Sequence, residues 1–410
     1  MKKKTFITFA FFVLLAITLA CAGLGSGTAP AQPANVETIV AGTFAALTAS
    51  VPEASATPLP LTSSLLPHSM YFLNSDSKGL IQVYRLDKDG QTVTQITFEP
   101  AKVESYDVSP LDGSVVYATN NQLFTVNADG SSRSMIVDGG PLDPNDAFVK
   151  HINAPLWSPD GQTIAYGYQG INFYSIVAGQ STLVLEDQLT TENGSTFGEV
   201  YIPIRYSPGG SKLLISMVPL ASDGGAMGVF TPGNKSVVSF TGASHRICCS
   251  LEWAGDNNTL YGAYAAFNPF VSPGLWRVDS TSGVVTDLIP GLTENSTVLN
   301  FASNPFPAPD GQLYFFYTTQ PYTQQDEVTR VPLQLVRSAA DGVTNRTVLR
   351  PEIFNTLNEV LWAPDASFAI TVSGPIADVY QGGIVELYYT DGQKAAISLL
   401  PFAFELKWGP

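Results

Sequence analysis

Few residues of this 410-residue chain are equipped for chemistry, and its three histidines and three cysteines are the place to start. Cys248 and Cys249 are adjacent, beside His245 and Arg246. In an oxidising compartment the two thiols either close a vicinal disulfide or sit as small side chains on alternate faces of a strand. Neighbouring Cα atoms lie about 3.8 Å apart across a trans peptide, short of the roughly 4.4 Å that disulfides favour, so a closed pair is a strained, rigid sulfur platform. His151, next to Lys150, is a second position of the same kind, whereas His68 falls in a different part of the pattern described below. A three-histidine metal site is therefore not expected. D-K-D-G at Asp87 and D-P-N-D at Asp143 contain calcium-loop residue types, but hairpin turns use the same residues, and no metal is predicted from them. No G-x-S-x-G elbow occurs, which argues against serine-hydrolase chemistry. No catalytic residue and no cofactor is assigned.

Composition narrows the partners. Charged residues make up only 13%, with 35 Gly and 29 Pro, a balance that suits a turn-rich β protein. The net charge of −15 becomes −18 once Lys2, Lys3 and Lys4 are removed, so the body repels phosphate backbones and nucleic acid is excluded as a partner. Those three lysines precede a charge-free apolar run from Thr5 to Ala20, too short for the roughly 20 residues of a membrane-spanning helix. The pattern predicts an export signal over residues 1–20. T-L-A-C at Thr18–Cys21 resembles a bacterial lipobox, which implies lipidation at Cys21 and attachment to a membrane at the extracytoplasmic side of a bacterial cell envelope. Ala, Pro, Thr and Ser supply 26 of the 45 residues from Ala22 to Leu66, too little apolar surface to offset chain entropy. Residues 21–66 are predicted to be a flexible tether, and 67–410 the folded body.

That body is a repeat. L-W-S-P-D-G-Q-T-I-A-Y from Leu156 is the fullest copy, with others from Asp107, Arg205, Glu252, Phe306 and Leu361 and a truncated L-K-W-G-P at the end. Aligned on the tryptophan, the column reads Val108, Trp157, Tyr206, Trp253, Pro307, Trp362 and Trp408, with steps of 49, 49, 47, 54, 55 and 46. A period of about 50 is the length of a propeller blade. Pro presets the first turn dihedral while Asp and Gly tolerate the second, so each copy is two strands joined by a tight turn. A second hairpin follows in each period, giving four strands. The body opens on a second strand, M-Y-F-L-N-S from Met70, and closes on an orphan first strand, F-E-L-K-W from Phe404. Pairing the two ends removes exposed edges. The expectation is an all-β, seven-bladed β-propeller of four-stranded antiparallel blades, closed by the C-terminal strand joining the N-terminal blade.

These W-S-P-D-G repeats resemble the TolB-like β-propeller family over residues 67–410. The resemblance implies the fold and leaves the role open, because the family includes scaffolding proteins, lyases and the propeller portions of serine peptidases. W-R-V-D-S-T-S-G from Trp276 is similar to a quinone-cofactor propeller repeat, and it occurs once.

In propellers the loops between second and third strands, and between fourth and first, surround one mouth of the axial channel. Those after Met217, Tyr264, Tyr317 and Val372 are long, and carry Met227, Phe267, Phe270, Tyr322 and Tyr380 among Gly, Pro and Gln. This is the composition of a recognition surface, or of aromatics that pack on each other to cover the ring. His151, Arg205, His245, Arg246, Cys248 and Cys249 are placed on the same face. The leading expectation is a non-catalytic, lipid-anchored module that binds a peptide, protein or glycan there. The alternatives are an exported propeller enzyme, either a metal-dependent lyase or a quinone-cofactor oxidoreductase, and a TolB-like scaffold in an envelope complex.

Overall fold

The computed structural model describes residues 64–142, 149–192, 195–220, 225–241, 250–267, 272–294, 296–322 and 328–410. The leader, Cys21, nearly all of the predicted tether, and His245, Arg246, Cys248, Cys249 and Phe270 lie outside the described residues. Residues 63–410 form one compact unit. Leu66 is fully buried and its N–H donates to Lys88 O at 2.9 Å, so the core begins slightly ahead of Pro67.

The described residues contain strands and no helix. The repeat turns explain why. In Ser158–Gly161 the Ser158 N–H donates to Thr163 O at 2.8 Å and the Gly161 N–H to Ser158 O at 2.9 Å, with Gly161 at φ 66°. Asp160 Oδ1 accepts from Ser158 Oγ and from the Gln162 N–H, bonds that hold its carboxyl below the usual range. This S-P-D-G supplies both the glycine and the carboxylate of its reversal, while in other copies Asn257 and Ala366, each at φ 60°, take the glycine's place.

Strands group into six antiparallel sheets. Four have four consecutive strands each, as in Ser105–Val108, Val115–Thr119, Gln122–Val126 and Ser134–Asp138. A fifth has five strands, because Gln188–Glu192 pairs with the first half of Ser195–Tyr206, from Gln188↔Glu199 to Glu192↔Ser195, a strand absent from the sequence expectation. The sixth has seven strands, so hydrogen bonding yields six sheets where the repeat predicts seven. The reason is the strand Ile397–Trp408, which has two partners. It pairs with Gly383–Tyr389 from Ile397↔Leu387 to Ala403↔Gly383, and then with Met70–Ser75 from Phe404↔Leu73 to Trp408↔Met70. The predicted meeting of the two ends is present.

Apolar side chains fill the spaces between neighbouring sheets. Tyr71, Leu73 and Val83 of one sheet meet Tyr106, Val115, Tyr117 and Phe124 of the next, all buried. Burying each such side chain contributes about 1.5–3 kcal/mol, which is how sheets with no helices between them cohere.

Candidate functional site

The first strand of each repeat is the one that lines the centre, and most of these strands break their ladder at the same place. Register shifts fall at Asn153/Leu156, Pro203/Arg205, Ser303/Phe306 and Leu357/Glu359, and opposite Tyr71/Leu73. Ala154, Asn304 and Glu405 take left-handed φ values of 45°, 48° and 52° at the break. Each stands three residues before the tryptophan column, as does Glu359. A bulge re-aims the side chains beside it, and here it turns polar ones towards the axis.

Two ion pairs cross between inner strands. Arg205 pairs with Glu252, and Lys407 Nζ lies 2.9 Å from Asp107 Oδ1, while Asp107 Oδ2 accepts the Trp157 N–H at 2.7 Å. Glu359 is placed differently. Its carboxylate accepts the backbone N–H groups of Glu405 at 2.8 Å and Leu406 at 2.6 Å, tying its strand to Ile397–Trp408. Burial outweighs those bonds and pushes the Glu359 carboxyl up to about 7. Glu359 borders three cavities of about 510, 390 and 580 Å³, so it stands where they adjoin.

The 510 Å³ cavity opens on the face carrying the long loops. Loops from three successive repeats are knitted into its rim. Phe267 and Val328 exchange both backbone hydrogen bonds, at 2.7 and 2.9 Å, and Phe267 packs edge to face on Tyr322 with centroids 5.9 Å apart. Arg330 then reaches to the next loop. Its guanidinium donates to the carbonyls of Leu357 at 2.8 Å, Val379 at 2.8 Å and Ala377 at 3.2 Å, and to Asn358 Oδ1 at 2.6 Å. Asn358 Nδ2 donates in turn to Val379 O and Gly382 O. The Tyr380 ring lies over the guanidinium at 4.3 Å and remains 56% exposed.

Of the residues singled out by sequence, Phe267 and Tyr380 line this cavity, and Tyr322 supports Phe267 from behind. Arg205 and Met227 line the 390 Å³ cavity below it. His151 is engaged elsewhere, with Nε2 2.7 Å from Glu104 Oε2, and it lines none of these three cavities. His245, Arg246, Cys248, Cys249 and Phe270 lie outside the described residues. Arg330, Asn358 and Glu359 were not anticipated. Arg330 sits in the long loop after Tyr317, and Glu359 is the acid three residues before a repeat tryptophan, so both stood at positions the repeat already marked. Among the described residues no group of three or more His, Cys, Asp or Glu is arranged to hold a metal ion.

No family model matches the chain, and no curated protein matches it. Solved structures do. A putative TolB from Agrobacterium tumefaciens is 16% identical, covering 75% of this chain and 99% of that one at a TM-score of 0.40. TolB from Acinetobacter baumannii is 13% identical, covering 81% and 78% at 0.39. An oligogalacturonate lyase in complex with manganese is 8% identical, covering 81% and 84% at 0.51. At such identities the likeness is one of fold alone: an all-β structure of β-propeller type.

Proposed function

We propose that the protein is a lipid-anchored, extracytoplasmic β-propeller that acts as a non-catalytic binding module for a peptide, protein or glycan at the rim around Arg330 and Tyr380. The observation that carries this reading is the rim itself. Three loops are cross-linked by the Phe267–Val328 bridge and the Arg330 fork, so a surface with exposed aromatic character is held rigid before any ligand arrives. The charged groups beside it hold backbone rather than face an open reaction centre: Arg330 grips carbonyls and Glu359 grips N–H groups. Export and anchoring rest on the Lys2–Lys4 start, the apolar run and T-L-A-C at Thr18–Cys21. We read the propeller as seven-bladed, with the seven-stranded sheet being two blades that share Ile397–Trp408, whose partner changes between Ala403 and Phe404.

A second reading is an exported propeller enzyme, a metal-dependent lyase or a quinone-cofactor oxidoreductase. The fold likeness to an oligogalacturonate lyase in complex with manganese favours it. A third is an envelope-complex scaffold, in keeping with the TolB-like repeat.

Thermal unfolding of the full chain with peptides, oligosaccharides, divalent metals and quinones separates them. A ligand at a hundred times its dissociation constant adds about 2.7 kcal/mol, a rise of about 4 °C for a body of roughly 350 residues. A rise with a peptide or sugar that Tyr380→Ala abolishes supports the binding module. A rise confined to metals or quinones, accompanied by turnover, defeats it.

A further inference from the structure

The groups lining the 510 Å³ cavity differ in whether they are already occupied, and that difference selects a ligand chemistry. Arg330 has four of its five N–H groups on oxygen acceptors within the rim. Both oxygens of Glu359 accept backbone N–H groups. These are the cavity's two ionisable acid and base side chains among the described residues, and each is held by protein partners. The uncharged polar groups are in the opposite condition. Thr329 and Asn355 are exposed at the mouth and make no side-chain hydrogen bond among the described residues, and the Asn304 side-chain carbonyl has no donor. Between them stand apolar surfaces, Phe267 and Leu357, and the Tyr380 ring. One face of that ring is fixed on the Arg330 guanidinium, and with the ring 56% exposed the rest is left to solvent.

We infer that this cavity binds a neutral oligosaccharide, with a sugar ring stacked on Tyr380 and its hydroxyls on Thr329, Asn355 and Asn304. A pyranose has an apolar C–H face and a periphery of groups that both donate and accept, matching a flat aromatic ringed by free hydroxyl and amide groups. An anionic sugar or a peptide terminus would ask for an unengaged counter-charge, and Arg330 is already committed to carbonyls. Arg330 is a positioning residue here. It holds Tyr380 flat through cation–π contact and keeps the Ala377–Val379 backbone in place. Recognition through uncharged groups also fits a strongly acidic protein, whose field repels anionic ligands.

This inference rests on the binding reading above, and the test keeps the two apart. Isothermal titration of the full chain uses cellotetraose, tetra-N-acetylchitotetraose and maltotetraose as neutral probes, with tetragalacturonate as the charged control. The expected result is saturable binding of at least one neutral probe, weakened about tenfold or more by Tyr380→Ala, restored by Tyr380→Phe and little changed from 50 to 500 mM salt. Binding of tetragalacturonate that is tighter than every neutral probe and fades with salt overturns it. So does the absence of binding by all neutral probes. If in that case a peptide or protein ligand binds and is lost in Tyr380→Ala, the binding reading stands and only the sugar assignment falls. Should Tyr380→Ala fail to fold, Thr329→Val and Asn355→Leu remove the free polar groups at exposed positions, and unchanged sugar affinity in both counts against the inference.

Discussion

Raising the pH should weaken this protein through one residue, Glu359. Its carboxyl moves from an ordinary 4.5 to about 7 on folding, chiefly by burial, despite the N–H groups of Leu406 and Glu405 and the nearby Lys407 ammonium. Because the folded value is the higher one, folding disfavours the ionised form. The favourable contribution is complete below about pH 4.5 and is lost as the pH climbs through 7. The interval from 4.5 to 7, at 1.36 kcal/mol per pH unit, amounts to about 3 kcal/mol. A body of roughly 350 residues unfolds with an entropy near 0.7 kcal/mol/K, so the loss equals about 4 °C in Tm. The assay is calorimetry of the wild type and of Glu359→Gln at pH 5 and pH 8. Gln cannot ionise, and whatever it costs in hydrogen bonding to Glu405 and Leu406 is present at both pH values. Asp187, pushed up to about 6 by burial, and Glu405, also raised by burial, titrate in both proteins and largely cancel in the comparison. Because about half a pH unit of the effect is already spent at pH 5, the wild type should lose about 3 °C more than the variant between pH 5 and pH 8. Equal losses in the two proteins would refute the reasoning, since they would mean Glu359 is solvated or its partners are not those described.

Two further outcomes follow from the core. Arg133→Ala removes both guanidinium bonds, at 2.6 and 2.8 Å, from Glu99, a carboxylate only 5% exposed that would keep just the Tyr117 hydroxyl. Because Arg133 itself is half exposed, a loss of about 2 kcal/mol is expected by urea titration, below the 3–5 typical of a fully buried pair. Deleting residues 404–410 strips Met70–Ser75 of its inner neighbour and bares an edge beside Met70, Phe72 and Leu73. Size-exclusion chromatography should find aggregates and calorimetry should find the single transition broadened and lowered. An unchanged monomer with an unchanged Tm would mean that the pairing of the two ends does not hold the sheets together.

Much of the architecture was readable in advance because its determinants are side chains. S-P-D-G at Ser158 carries its own glycine and carboxylate, and Trp157, Trp253, Trp362 and Trp408 mark the column by type. What escaped is written in the backbone. Ala154, Asn304 and Glu405 have nothing in common as residues, yet all three take left-handed conformations at the same repeat position. Glu359 finds its partners in two N–H groups and Arg330 in three carbonyls, acceptors and donors that every residue owns and no pattern advertises. The Gln188–Glu192 strand is polar and reads as a loop. It pairs closely because Gly198, at φ 128°, leaves no Cβ to collide with Gln188 O, which would stand 1.9 Å away. The rim was located by loop length, and its aromatics by type, while the cation that fixes Tyr380 was visible only in three dimensions.

The strand shared by the two ends also bears on biosynthesis. Most repeats can fold against a neighbour as soon as both have left the ribosome, but the Asn74 side chain meets Phe402 O across 328 positions, and Met70 waits for Trp408. The seam therefore joins residues more than 320 positions apart, and such non-local pairing costs more loop-closure entropy than the pairing of neighbouring repeats. A polypeptide cut short anywhere before Phe404 leaves the ring ajar, with an unpaired edge exposed to proteases.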